Sequence, residues 1–90
     1  MRLVKMILST TFAHVINIKN QTLVKAIGNR IRELRIQQKL SQESLANEAD
    51  IPLSQIGRIE RGENNPTIST LYVISIALNV ELKDIIDISI

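Results

Sequence analysis

Cysteine and tryptophan are absent from these 90 residues, and histidine occurs once, at His14. Without cysteine the chain has no disulfides and no thiolate metal sites, a usage that suits a reducing cytoplasm. A lone histidine supplies neither a metal centre nor a catalytic triad, so His14 reads as a partly exposed side chain. Aromatics are limited to Phe12 and Tyr72, which argues against base-stacking platforms of the RNA-binding kind and leaves an aliphatic core. No glycine-rich loop cradles phosphate and no carboxylate pair suggests a catalytic cleft, so neither an enzyme nor a cofactor or small-molecule site is expected. No apolar run is long enough to span a bilayer. The opening "MRLVKMILSTTFAHVI" starts like a signal peptide, with bases before an apolar run. That run is broken by Ser9, Thr10, Thr11 and His14, with no small-residue cleavage site after it. A cytoplasmic chain is therefore expected, with Met6 an alternative start.

What is present suits one small domain. Net charge is only +2, but its distribution is uneven. Residues 1–22 hold Arg2, Lys5 and Lys19 and no acid. Lys25, Arg30, Arg32, Arg35 and Lys39 face only Glu33, and the stretch from Glu81 to Asp87 is net acidic. Such asymmetry permits a polyanion-facing side.

From Leu23 onward the periodicity predicts helices throughout. Val24, Ile27, Ile31 and Leu34 mark one face of a first helix ending near Lys39 or Leu40. Ser41 caps a second helix, "QESLANEA", with Leu45, Ala46 and Ala49 inward; Ser44 stands where Glu or Gln would complete a capping box. Asp50 and Ile51 form a tight turn, since Asp tolerates the left-handed region. Pro52 fits the first turn of a third helix and Gly62 its C-terminal end. After the loop "GENNP", Thr67 caps a fourth helix that Asn79 ends. Glu81 to Asp87 gives a short fifth helix with Leu82, Ile85 and Ile86 inward. The expectation is an all-α, compact five-helix domain over residues 23–90. It is preceded by an N-terminal extension, residues 1–22, of strand-like composition but poor alternation.

Two helices joined by a tight turn, the second with a polar outer face, have the layout of a DNA-reading helix-turn-helix. At about 100° per residue, Ser54, Arg58 and Arg61 fall on one side of the third helix with Gly57 beside them. Ile56 and Ile59 fall on the other, and Gln55 on a flank. Arginine can fork onto guanine O6 and N7, and Ser or Gln can bond base edges or phosphate. A glycine in the strip lets a backbone approach closely. The bland alternative is a solvated helix face. Glu60 falls inward, however, and Arg35 lies on the apolar stripe of the first helix. A buried charge needs a partner, so a structural Arg35–Glu60 ion pair is expected between the first and third helices.

These elements, "LSQESLA", "I..IERGE.NPT" and "ALNVEL.DII" as a linked set, resemble the Cro/phage-repressor (XRE-type) helix-turn-helix family over about Ala26 to Asp87. The resemblance implies a five-helix fold and a homodimeric transcriptional regulator on a near-palindromic duplex DNA operator. It places Leu53, Ser54 and Arg58 toward base edges and Gln42 against phosphate; Gln55 is expected to join the base contacts, and Ser41, Arg61 and Asn65 the phosphate contacts. Several positions depart from the pattern. Lys39, Asp50 and Asn79 stand where glycine is common, Pro52 where Ser or Thr usually caps, and Glu81 where a similar cap is usual. An antitoxin or adaptor that uses the same scaffold to capture protein is the competing reading. Finally, the fourth helix is apolar nearly all round. Leu71, Ile74 and Leu78 form one stripe; Tyr72, Val73 and Ile76 form another, which with Ile88 and Ile90 is expected to be covered by a second copy of the chain, the N-terminal extension contributing.

Overall fold

The computed structural model describes residues 20–89, in which five helices follow one another. They are α1 (Gln21–Gln37), α2 (Gln42–Ala49), α3 (Leu53–Glu60), α4 (Ile68–Ala77) and α5 (Leu82–Ile85). The readings made for residues 1–19, with His14 and Phe12, and for Ile90 lie outside the described residues. Helix α1 begins at Gln21, earlier than the expected Leu23, because Asn20 caps it: Asn20 Oδ1 accepts from the Leu23 amide at 3.0 Å. Ser41 and Thr67 cap α2 and α4 as their positions suggest, accepting from the Ser44 and Thr70 amides at 3.0 and 3.1 Å.

The four longer helices stop by one device. After each, a residue at positive φ reverses the chain: Lys39 at 58°, Asp50 at 56°, Gly62 at 72° and Asn79 at 56°. The amide beyond that residue then bonds back into the last turn: Leu40 to the Arg35 carbonyl, Ile51 to Ala46, Glu63 to Arg58, and Val80 to Ser75, all at 2.9–3.1 Å. This Schellman closure satisfies carbonyls that a helix end would leave unpaired. Only one of the four is glycine. Lys39 has no short polar side chain to ease the left-handed conformation, whereas Asp50 and Asn79 do.

The core is aliphatic apart from Ser75, whose hydroxyl donates to the Tyr72 carbonyl at 2.6 Å, and the buried carboxylate of Glu60. Ile31, Leu45, Ile56, Ile59, Ile74, Leu78 and Ile85 are all 0–1% exposed, and they join the inward stripes of all five helices. Helices α1 and α3 meet at Gly28, where an added methyl would collide with the Ile59 carbonyl. The absence of a side chain there lets the backbones touch. Two polar ties span long stretches of sequence. Arg30 Nε donates to the Asp84 carbonyl at 2.8 Å, and Gln38 Nε2 to the Leu78 carbonyl at 2.5 Å. The fifth helix is shorter than expected, four residues, and so Ile86 falls past its end. Ile86 is 48% exposed rather than inward.

Candidate nucleic-acid interface

Helices α2 and α3 are joined by Asp50, Ile51 and Pro52. Pro52 is not in the first turn of α3 as expected but is its N-cap, at φ −56° and ψ 140°. The extended ψ keeps it outside the helix, while its carbonyl accepts from the Gln55 and Ile56 amides at 3.0 and 3.1 Å. A proline cap brings no side-chain acceptor, so no side chain caps the first amides of α3. The helix then runs two turns with its faces separated. Ile56, Ile59 and Glu60 are buried; Leu53, Ser54 and Arg58 are exposed, and Gln55 is half-buried. The proposed base-reading residues thus share the outward side, with Gln55 at its edge.

The buried side is fixed by the ion pair. Arg35 Nε and Nη2 donate to the two Glu60 carboxylate oxygens at 2.7 and 3.0 Å. The Glu60 side chain is 2% exposed and that of Arg35 12%. Arg35 Nη1 donates further to the Leu40 carbonyl at 2.8 Å, so one guanidinium holds both the end of α1 and the last turn of α3. A third donor completes the set. Gln42 Nε2, expected against phosphate, donates to Glu60 Oε1 at 3.0 Å. A buried carboxylate with two lone pairs on each oxygen calls for more donors than one guanidinium, and Gln42 sits at the start of α2 in reach. Its side-chain amide is therefore engaged inside the protein, which leaves only its backbone amide, at the helix N-terminus, for the expected phosphate contact.

The other phosphate candidates lie at the surface. Ser41 and Asn65 are exposed, and Ser41 Oγ also contacts Ser44 Oγ at 3.0 Å. Arg61 folds back along α3. A methyl on Gly57 would come within 2.9 Å of Arg61 Nη1 and 3.8 Å of Gln42 Oε1. Gly57 is therefore buried beneath an arginine side chain and does not open the strip to a close approach from outside, as its spacing suggests. Arg61 itself is held by Glu63, Nε to Oε2 at 2.7 Å and Nη2 to Oε1 at 3.3 Å, with both side chains more than half exposed. This contact was not anticipated. The signal for it is "RGE": a positive-φ glycine doubles the chain back and returns residue 63 beside residue 61. The hydrogen bond from Arg61 lowers the Glu63 pKa from its ordinary value, and the same contact raises that of Arg61.

All nine acids of the chain lie within residues 20–89, while three of its eleven bases, Arg2, Lys5 and Lys19, precede them. The described domain, with eight bases against nine acids, therefore carries a net charge of −1. Any attraction of this domain to a polyanion is therefore a matter of where its bases lie, not of its total charge. Among the described residues no group of three or more metal-ligating side chains occurs, and no helix is long and apolar enough to cross a membrane.

A second surface lies on α4. Leu71, Ile74 and Leu78 are buried, whereas Ile68, Tyr72, Val73 and Ile76 are 66%, 55%, 39% and 61% exposed. The apolar face expected at Tyr72, Val73 and Ile76 is thus exposed among the described residues, and Ile68 enlarges it. Ile88, grouped with that face on hydropathy, is half-buried and lines a shallow depression with Ala26, Asn29, Arg30 and Glu33 of α1.

Comparison with known proteins sets this geometry among relatives. A family model described as helix-turn-helix matches residues 31–85. Control protein C.BamHI of Bacillus amyloliquefaciens is 39% identical over 61 residues, which cover 67% of this chain and 75% of that protein. The immunity repressor protein of Bacillus phage phi105 is 37% identical over 60 residues, 67% of this chain but only 42% of the repressor's length. Among solved structures, the restriction-modification controller protein C.AhdI from Aeromonas hydrophila superposes with a TM-score of 0.67 at 38% identity, covering 71% of this chain and 96% of that one. The controller protein C.Esp1396I, solved as a tetramer in complex with its natural 35 base-pair operator, gives 0.64 at 27% identity, covering 72% of this chain and 96% of that one.

Proposed function

Because the chain belongs to the helix-turn-helix family, we propose that it regulates transcription by binding a specific sequence of duplex DNA, with α3 in the major groove. The observation that carries this reading is the division of α3 into two faces. Its inner side is held by the Arg35–Glu60–Gln42 network, and its outer side offers Leu53, Ser54 and Arg58 to solvent. A reading helix must be held rigidly and be polar where it meets bases, and this one is both. Arg58 is the group for guanine, Ser54 and Gln55 for base edges, and Leu53 for apolar contact such as a thymine methyl. Ser41, Arg61, Asn65 and the α2 amides at Gln42 hold phosphates and set the register. The likeness to a controller protein solved on its operator supports the docking.

Two copies bind a near-palindromic site, joined through the α4 face around Tyr72, Val73 and Ile76. Their reading helices then stand about 34 Å apart, one turn of B-DNA. The protein works in the cytoplasm as a binder without catalysis. Selection of bound sites from randomised duplex by the full chain, followed by affinity measurement at rising salt, tests the reading. Recovery of a two-fold-related consensus, with affinity falling steeply in salt as phosphate contacts release counterions, is expected. Absence of DNA binding, alongside tight capture of a protein, would overturn it in favour of an adaptor.

A further inference from the structure

We propose that Glu63 competes internally with DNA phosphate for Arg61 and so lowers the affinity of the α2–α3 surface for every duplex. The inference rests on the DNA-binding reading above and deepens it. Arg61's guanidinium lies over Gly57 and near Gln42, between the middle of α3 and the start of α2. That is where a strand backbone passes when a helix of this layout enters the major groove. In the unbound protein both Nε and Nη2 are already engaged by the two Glu63 oxygens, at 2.7 and 3.3 Å. The carboxylate presents to the guanidinium the same two-oxygen edge that a phosphate would. Arg58, the base-reading arginine, adds a weaker attraction to the same carboxylate.

Two costs to binding follow. A phosphate must displace Glu63 from Arg61, and the displaced carboxylate stays nearby as a like charge. Where the Arg61–Glu63 pair persists instead, Arg61 neutralises no phosphate and contributes nothing to the salt dependence. Both effects act on the backbone, and so they weaken all sequences alike. In a domain with eight bases against nine acids, net −1, one such acid weighs heavily against non-specific hold.

The test uses the full chain and its Glu63→Gln variant, with affinities for the selected site and for a random-sequence duplex across a salt series. The substituted amide keeps the size of the side chain, and the turn's backbone bond from residue 63 to the Arg58 carbonyl is untouched, so a thermal melt of the variant serves as the control for folding. The variant is expected to bind both duplexes about three- to tenfold tighter per bound subunit at low salt, from removal of one nearby like charge. Its log affinity is expected to fall more steeply with log salt by about 0.9 per subunit, one added phosphate. In an Arg61→Gln background the same change should have little effect. Unchanged or weaker binding by Glu63→Gln overturns the proposal. A gain or loss confined to one base of the selected site also overturns it, making Glu63 a base contact. Failure of the wild-type chain to bind any duplex removes the DNA reading itself.

Discussion

Arg58 projects, exposed, from the middle of α3, whereas Arg61 is turned back onto Glu63. A guanidinium so placed reads a base more readily than it braces the backbone. Arg58→Ala is expected to cost about 1–3 kcal/mol on the selected site and to relax preference at one base pair, as competition titrations with single-base variants would reveal. Equal weakening on all duplexes would make it a phosphate contact. Glu60 is the opposite case, a charge that serves by never meeting solvent. It accepts from Arg35 twice and from Gln42 once. Removing one partner leaves the other buried and uncompensated, which typically costs about 3–5 kcal/mol. Glu60→Ala and Arg35→Ala should each lower the thermal midpoint, by roughly 12 °C or more in a domain of this size. Calorimetry that finds either variant melting with the wild type would show the pair to be dispensable.

Among the helices, the ends carry the strain. Lys39 adopts φ 58°, a conformation costing an ordinary side chain roughly 1–2 kcal/mol, which glycine avoids at some loss of unfolded-state freedom. Lys39→Gly should therefore stabilise the fold by about 0.5–1 kcal/mol in urea unfolding; a loss would mean the lysine side chain makes a compensating contact. Helix positions, the caps at Ser41 and Thr67 and the turn at Asp50 were legible in the sequence, because each depends on residues close to one another along the chain. The Arg35–Glu60 pair was legible for another reason: two charges on apolar stripes have few places to go. What escaped the sequence depends on three-dimensional neighbours. Gln42 turns inward because Glu60 needs a further donor, Gly57 is roofed by Arg61, and Gly28 meets a carbonyl from another helix. Pro52 was misplaced by one residue, since φ near −60° serves a cap and a first turn equally and only ψ separates them.

At the scale of the whole molecule, α4 divides its apolar surface between the core and water. Ile68, Tyr72, Val73 and Ile76 form a face that no other described element covers, and burying it in a two-fold interface removes that area from solvent. Ile76→Asp would place a charge at the centre of the interface. It should convert a sedimenting dimer into a monomer at micromolar concentration, with helical circular dichroism retained. A wild-type chain that sediments as a monomer under the same conditions would overturn the dimer.

Pairing through that face would tie the protein's action to its own abundance. Where most chains are single, the number of pairs grows as the square of the number of chains, and an operator that needs a pair fills with the same steepness. Doubling a scarce regulator of this kind would raise its occupancy nearly fourfold. Pairing also draws the folded state forward by mass action, so the chain resists heat better the more of it there is. Paired in this way, the exposed side of one ten-residue helix would make the molecule a gauge of how much of itself has been made.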